Sequence, residues 1–337
     1  MKAAVIGASG YLGAELLRLL STHPEIDVAV AQADSTAGSR PGDLYAGLSP
    51  SYADLVLSTI DPTEAIGCDV AFVAVPSGHS QAIVASLVNK VGLIVDLGAD
   101  FRLKDPAAYE QWYHFTHQQP ELLADAVFGL PELFRDQIAG ATLIASPGCY
   151  VTAASLALAP LVKAGIIENH GIIVDAASGT SGAGKEPRPD LHFAKVNESF
   201  SAYGLLDHRH TPEIEQTIGA QILFTPHLAP MTRGILATIY AKPTGATSTE
   251  ALLDALRSAY DGEPFIEVGG QAPSTRDTYG SNLVRMTARY DERTNTVLLL
   301  SALDNLTKGG SGQALQSTNI ALGLPETLGL PRVALLP

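Results

Sequence analysis

Short apolar runs alternate with Leu-rich segments through the first half of the chain, and glycine or polar residues follow each run. The runs Lys2–Ile6, 70–75 and Leu93–Asp96 are almost wholly apolar, as strands of a parallel sheet are when both faces are buried. Segments with helical spacing follow them at 14–20 and 80–89. This alternation predicts a doubly wound α/β domain of the Rossmann type.

The second half of the chain has a different pattern, in which predicted strands cluster rather than alternate with helices. One clear helix is predicted at 248–260. Clustered strands of this kind predict an α+β domain with a mixed, largely antiparallel sheet. The predicted strands are 171–177, 221–225, 234–241, 265–268, 283–290 and 297–302, and the stretch 226–234 is predicted to be a loop.

Composition narrows the class of protein. The chain has 337 residues, 46% hydrophobic and 17% charged, with a formal net charge of −14. A chain this acidic is unsuited to nucleic acid or an anionic membrane as its main partner, and no apolar run approaches membrane-spanning length. The two cysteines, Cys68 and Cys149, provide neither a disulfide framework nor a cysteine zinc site. We expect a cytoplasmic protein without a metal.

A glycine-rich turn, 7–13, joins the first strand to the first helix. Gly7 permits the tight turn, Gly10 lets backbone N–H groups approach a pyrophosphate, and Gly13 allows helix and strand to pack closely. The alternative is a purely structural turn, because the spacing differs from G-x-G-x-x-G. Its position at the start of a βα unit favours dinucleotide binding.

A second strand is predicted at 27–33, and the loop after it, where an adenosine ribose would be bound, carries mixed signals. Asp34 is typical of NAD binding, whereas Ser35 and Arg40 suit the extra phosphate of NADP. The residues leave this choice open.

The segment 146–152, Ser-Pro-Gly-Cys-Tyr-Val-Thr, lies between a predicted strand and an Ala/Leu-rich helix. Pro147 and Gly148 break regular structure, so Cys149 is predicted at the helix N-terminus. Backbone N–H groups and the helix dipole there favour a thiolate. The alternative is an inert, buried cysteine, the reading we prefer for Cys68.

Three further segments carry candidate chemistry. His208 and His210 lie two apart before a predicted helix start, with Thr211 as N-cap and Pro212 first; either histidine could serve as the acid/base for a cysteine nucleophile. Metal binding by this pair is less favoured, because no third ligand has recognisable spacing.

The polar loop 178–185 is either an anion-binding loop or a flexible surface loop. Arg102 is either an anion clamp or a surface arginine.

Taken together, these motifs resemble the arginine-biosynthesis branch of the semialdehyde dehydrogenase family, whose members reduce an N-acetylated glutamyl phosphate. The resemblance spans nearly the whole chain. The matching segments are 7–13, 98–102, 146–152, 178–184, 208–214 and 226–231.

The resemblance implies a dinucleotide-binding domain at 1–146, completed by 306–337, and an inserted catalytic and dimerisation domain at 147–305. It implies a small acyl phosphate substrate, NADP as cofactor with NAD left open by Asp34, and a homodimer or homotetramer. Cys149 is then the nucleophile, and His208 or His210 the acid/base. Implied cofactor contacts are Gly7, Ser9, Gly10, Tyr11, Leu12, Gly13, Ser35, Arg40, Ser77, Ser178, Gly179, Gly182 and Asn305; implied substrate contacts are Arg102, Ser181, Lys185 and Glu213.

Two other functions remain open from the sequence. The first is the lysine-pathway branch of the same family, which acts on a carrier-bound aminoadipyl phosphate. The second is a dinucleotide-sensing protein without turnover. Rapid alkylation of Cys149 that responds to cofactor is expected only of an enzyme.

Overall fold

The chain folds into two units, each built around one β-sheet. The computed structural model describes residues 1–336, and places 1–147 with 310–330 in the first unit and 148–309 with 331–336 in the second. Residues 306–309 belong to the second unit, although 306–337 as a whole was predicted to complete the first, and residues 331–336 return to the second unit as well. Backbone hydrogen bonds account for this, because Asn282 N–H donates to Pro331 O and Leu335 N–H donates to Tyr279 O.

The strands and helices are numbered in chain order. The strands are β1 Lys2–Ile6, β2 Asp27–Gln32, β3 Val70–Val73, β4 Leu93–Asp96, β5 Val127–Phe128, β6 Leu143–Ala145, β7 Ile172–Ser178, β8 Ser201–Ala202, β9 Ile222–Leu228, β10 Ile235–Ala241, β11 Ile266–Val268, β12 Val284–Asp291 and β13 Thr296–Leu303. The helices are α1 Tyr11–Leu20, α2 Pro41–Leu44, α3 Ser80–Leu87, α4 Ala108–Tyr113, α5 Pro120–Asp125, α6 Pro131–Ile138, α7 Cys149–Lys163, α8 Phe193–Val196, α9 His210–Ile218, α10 Thr249–Ala259 and α11 Gly312–Ala321. A π-helical segment, Thr307–Ser311, precedes α11.

The first unit is a parallel six-stranded sheet in the order β2-β1-β3-β4-β6-β5. Every residue of β3 and β4 is buried, which confirms the prediction from their unbroken apolar pattern. After β1 the chain runs first to β2 on one side and then to β3 on the other. The strand order therefore reverses between β1 and β3, where open α/β sheets bind ligands beyond the carboxyl ends of their strands.

The second unit is a seven-stranded mixed sheet in the order β11-β12-β13-β10-β7-β9-β8. The pairs β11–β12 and β7–β9 are parallel, and the others are antiparallel, so the predicted fold class is confirmed. Burial alternates along β7, where Ile172 and Val174 are buried and Ile173 is exposed. The long helix α7, apolar on nearly every side, packs against β10 and β13 on the buried face.

One predicted loop is wrong in part. The stretch 226–228 continues β9 instead of leaving the sheet, although it begins with Pro226. The neighbouring strand in the sheet, β8, forms the sheet edge and contains only two residues. Pro226 therefore lies close to the sheet edge, where a missing backbone donor is tolerated.

Candidate active site

Cys149 is the first residue of α7, which confirms its predicted place at a helix N-terminus. Gly148 occupies the N-cap position in an extended conformation and offers no side-chain oxygen to the first turn. The positive end of the helix dipole is therefore available to stabilise negative charge on the sulfur. The side chain is partly exposed, unlike that of Cys68, whose pKa burial raises. Position and exposure together suit Cys149 to nucleophilic attack.

Helix α9 brings two functional groups onto the turn before Cys149. Glu213 is fully buried, and its Oε1 accepts a 2.7 Å hydrogen bond from Gly148 N–H. His210 lies three residues earlier, on the same helical face. A Cβ added to Gly148 would lie 2.3 Å from His210 Nε2. The imidazole therefore rests directly on the residue that precedes Cys149.

His208 occupies a different position from His210. The backbone N–H of His210 donates to His208 Nδ1 at 3.1 Å, so a neutral His208 carries its proton on Nε2. Burial lowers the pKa of His208 to about 4, and the charge of Arg209 acts in the same direction. His208 is therefore neutral at physiological pH and cannot supply a proton as an imidazolium ion. It also fixes the first turn of α9, which begins at His210 rather than after Thr211 as predicted.

Aromatic rings surround the two histidines. Tyr150 lies edge-on to both, with ring centroids 5.7 Å from His208 and 5.8 Å from His210. Its hydroxyl donates to His227 O and accepts from the hydroxyl of Tyr203, each at 3.1 Å. Burial holds the pKa of Tyr150 well above its usual range. Tyr150 therefore stays neutral, and its ring packs against both imidazoles.

A largely buried ion pair supports the segment that faces Cys149. Gly309 lies so close to Cys149 that a Cβ there would approach Cys149 Cβ to 2.9 Å. Gly309 N–H donates to Asp304 O. The Asp304 carboxylate is fully buried and holds Arg233 through both Nε and Nη2, the latter at 2.9 Å. No sequence motif marks this pair. The one available signal is that Arg233 comes just before a predicted strand and Asp304 just after another.

The loop after β7 is neither an open anion cradle nor a flexible surface loop. The N–H groups of Gly179, Thr180 and Ser181 donate to carbonyl oxygens of 231–234, and that of Gly182 donates to Gly179 O. Ser178 Oγ donates to Gly179 O, while the Asn305 side chain joins Gly234 N–H to Ser181 Oγ. These donors are thus engaged within the unit. Lys185 is exposed beyond them.

The glycine turn of the first unit fits a dinucleotide. Gly7 has φ +90°, and a Cβ there would lie 2.2 Å from Ala74 O; a Cβ on Gly13 would lie 2.3 Å from Gly7 O. Helix α1 begins at Tyr11 with Gly10 as N-cap and no side-chain cap. Backbone can thus approach a pyrophosphate at this helix start, where Ser9 and Leu12 also lie. Tyr45, which the sequence analysis missed, donates to Ser9 O at 2.9 Å.

The other predicted residues of the first unit lie in loops at the carboxyl edge of the same sheet. Ser35 and Arg40 are exposed after β2, beside the equally exposed Asp34, and Ser77 is half-buried after β3. Arg102 is buried rather than a surface residue, and its Nη2 donates to Leu97 O at 3.0 Å. The cofactor and substrate contacts assigned to these residues remain predictions.

Comparisons with known proteins follow the same division. Residues 2–141 match the family model for the semialdehyde dehydrogenase NAD binding domain, and residues 149–305 match that for the semialdehyde dehydrogenase dimerisation domain. Both units thus correspond to one class of two-domain dehydrogenase.

Relatives refine that class. The N-acetyl-gamma-glutamyl-phosphate reductase of Symbiobacterium thermophilum is 48% identical, covering 98% of this chain and 97% of the relative. That of Moorella thermoacetica is 45% identical over the full length of both chains. The chain therefore belongs to the semialdehyde dehydrogenase family, in the branch of N-acetyl-gamma-glutamyl-phosphate reductases.

Solved structures support the fold. Aspartate semialdehyde dehydrogenase from Candida albicans, solved with NADP, has a TM-score of 0.71 at 18% identity, covering 95% of this chain and 98% of that chain. Among residues 1–336, no helix is both long and apolar enough to cross a membrane.

Proposed function

We propose that the protein reduces N-acetyl-gamma-glutamyl phosphate to N-acetylglutamate semialdehyde and inorganic phosphate, with NADPH, in arginine biosynthesis. The observation that carries this proposal is the placement of Cys149 at the start of α7 with the His210 ring against Gly148. A nucleophile beside an acid/base is the arrangement that covalent acyl transfer needs. The whole-length relatives named above carry the same activity in their names.

The side chains of the protein supply the attacking sulfur, the orientation of the reacting groups and the proton transfers. Cys149 Sγ attacks the acyl carbonyl carbon as His210 accepts the thiol proton; an S–C bond forms, and the C–O bond to phosphate breaks with its electron pair leaving on phosphate. NADPH, when bound, supplies the hydride that reduces the thioester carbonyl. The C–S bond then breaks, the aldehyde leaves, and His210 returns a proton to the sulfur. His208 stays neutral and accepts from the His210 backbone N–H, which holds the first turn of α9.

The residues assigned to the ligands belong to this proposal. The turn 7–13 would hold the pyrophosphate at the start of α1, and Ser35, Arg40 and Ser77 would hold the rest of the nucleotide. Arg102 would hold the departing phosphate. Ser178, Gly179, Gly182 and Asn305 are the remaining residues assigned to the cofactor. Ser181 and Lys185 are assigned to the substrate, and the buried Glu213 would act through Gly148, whose N–H it accepts from.

Replacement of the nucleophile tests the proposal. Cys149→Ser should abolish phosphate-dependent reduction of NADP⁺ with free N-acetylglutamate semialdehyde, because serine lacks an activated thiolate. Cys68→Ala is the matched control, since that cysteine is buried in the first unit. Activity of Cys149→Ser within about tenfold of wild type, about 1.4 kcal/mol in barrier, would contradict the assignment. Activity only with a carrier-bound substrate would favour the lysine-pathway branch.

We also propose that two copies pair through the open face of the second unit's sheet. Ile173, Leu223 and Tyr240 lie in register on β7, β9 and β10, and each is more than a third exposed. Exposed apolar side chains in a row on one sheet face mark an interaction surface. The match of residues 149–305 to a dimerisation domain supports a second copy as the partner.

Light scattering of the purified protein tests this pairing. Tyr240→Lys should shift the mass toward the monomer, because a lysine there would be desolvated on association. Arg257→Ala, on the exposed side of α10, is the control. An unchanged mass for Tyr240→Lys would rule out this face.

A further inference from the structure

Asp100 is fully buried in the first unit and connects two loops that the proposed function uses. Its Oδ1 accepts from Gly78 N–H at 2.7 Å, and its Oδ2 accepts from Ser80 N–H at 3.0 Å. Gly78 directly follows Ser77, and Ser80 is the first residue of α3. Helix α3 has His79 as N-cap and no side-chain cap of its own. Asp100, from the loop after β4, therefore provides the carboxylate that its first turn lacks.

The other end of the connection is the loop 97–103, which carries Arg102. The backbone of Asp100 is held by His117, whose Nε2 lies 2.7 Å from Asp100 O. Asp96, at the end of β4, accepts from Gly98 N–H and from Ser80 Oγ. Ser80 is thus bound to both buried carboxylates, by its N–H to Asp100 and by its hydroxyl to Asp96. Movement of the Arg102 loop must therefore displace the start of α3.

We propose that Asp100 is a positioning residue that couples nucleotide binding at the Ser77 loop to phosphate binding at Arg102. The inference rests on the proposed function, which places the nucleotide at one loop and the phosphate at the other. A ligand that fixes either loop would fix the other through the same two hydrogen bonds. Such coupling is reciprocal, so each ligand should raise affinity for the other by the same factor.

Calorimetric titration measures this factor directly. The dissociation constant of NADP⁺ is measured with and without saturating inorganic phosphate, for wild type, Asp100→Asn and the control Asp61→Asn. Asp61 also caps a short helix in the first unit, through Thr63 N–H, but is exposed. In wild type and Asp61→Asn, phosphate should tighten NADP⁺ binding about fivefold or more.

Asp100→Asn should lose that factor, because the asparagine amide nitrogen cannot accept from a backbone N–H. A purely structural role would weaken both affinities and leave their coupling unchanged. That result would overturn the proposal, as would a wild-type protein in which phosphate leaves NADP⁺ affinity unchanged. If wild type binds neither probe, the proposed function fails; if Cys149 is essential and coupling is absent, only this inference fails.

A measurement on the wild-type protein avoids any folding defect of the variant. Hydrogen exchange of peptides that contain Gly78 and Ser80 should slow when inorganic phosphate alone is added, since their N–H groups are held by the Arg102 loop. Conversely, NADP⁺ alone should slow exchange in 97–103. Protection confined to the loop that binds each ligand would refute the coupling.

Discussion

Gly148→Ala tests whether the catalytic pair depends on a missing side chain. Gly148 has φ −67° and ψ 149°, which alanine adopts without strain. The only new group is a methyl, and its carbon would lie 2.3 Å from His210 Nε2 and 2.7 Å from Cδ2 and Cε1. To regain van der Waals contact the ring must retreat by about 1 Å. Gly148 N–H remains available to Glu213, so the turn itself should persist.

The expected loss follows from that displacement. A misplacement of about 1 Å in a catalytic group costs on the order of a hundredfold in rate, or about 2.7 kcal/mol. We expect kcat of Gly148→Ala to fall by about this factor in the phosphate-dependent assay, with NADP⁺ affinity unchanged. Gly245→Ala is the matched control, because a Cβ there meets nothing within 4 Å. If Gly148→Ala keeps kcat within about threefold of Gly245→Ala, His210 is not the acid/base.

Two predictions concern stability. Burial raises the pKa of Asp96 to about 7 from 3.8, with Asp100 adding to the effect, so the fold favours the protonated acid and loses stability as the pH rises toward 7. Wild type should therefore lose about 2 kcal/mol relative to Asp96→Asn between pH 5.5 and pH 8 in urea unfolding, and parallel pH profiles would contradict this. Asp304→Asn should destabilise by about 3–5 kcal/mol, because it leaves the largely buried Arg233 guanidinium without its carboxylate. Glu250→Gln, in an exposed pair with Arg257, should cost at most about 1 kcal/mol; equal losses would contradict the burial argument.

The pattern of apolar, glycine and proline residues was sufficient to predict the structure of segments whose conformation depends mainly on their own residues. The strands Lys2–Ile6 and Leu93–Asp96 have the predicted bounds, because a short, almost wholly apolar run that ends at glycine or polar residues is typical of a strand buried on both faces. Pro147 and Gly148 likewise place Cys149 at a helix start, since neither residue continues regular structure. Gly7 and Gly13 fit their predicted parts because no side chain could occupy those positions.

Pattern failed where distant groups compete for the same donors and acceptors. The loop 178–184 has the composition of an anion site, yet its N–H groups donate to a strand connection some 50 residues later. From their spacing, His208 and His210 are equal candidates for the acid/base, and only their packing in the structure distinguishes them. His208 is enclosed by rings and neutral, while His210 rests on Gly148.

The sequence by itself therefore determined the fold class, the family and the place of Cys149 at a helix start, because each is carried by residues adjacent in the chain. Tertiary structure decided which histidine meets the turn before Cys149, what holds that turn, and which carboxylate joins the two loops of the first unit. Glu213 and Asp100 show the physical reason. Their partners, Gly148 and Gly78, lie far away in the chain, and a backbone N–H leaves no mark in the sequence to show which carboxylate accepts from it.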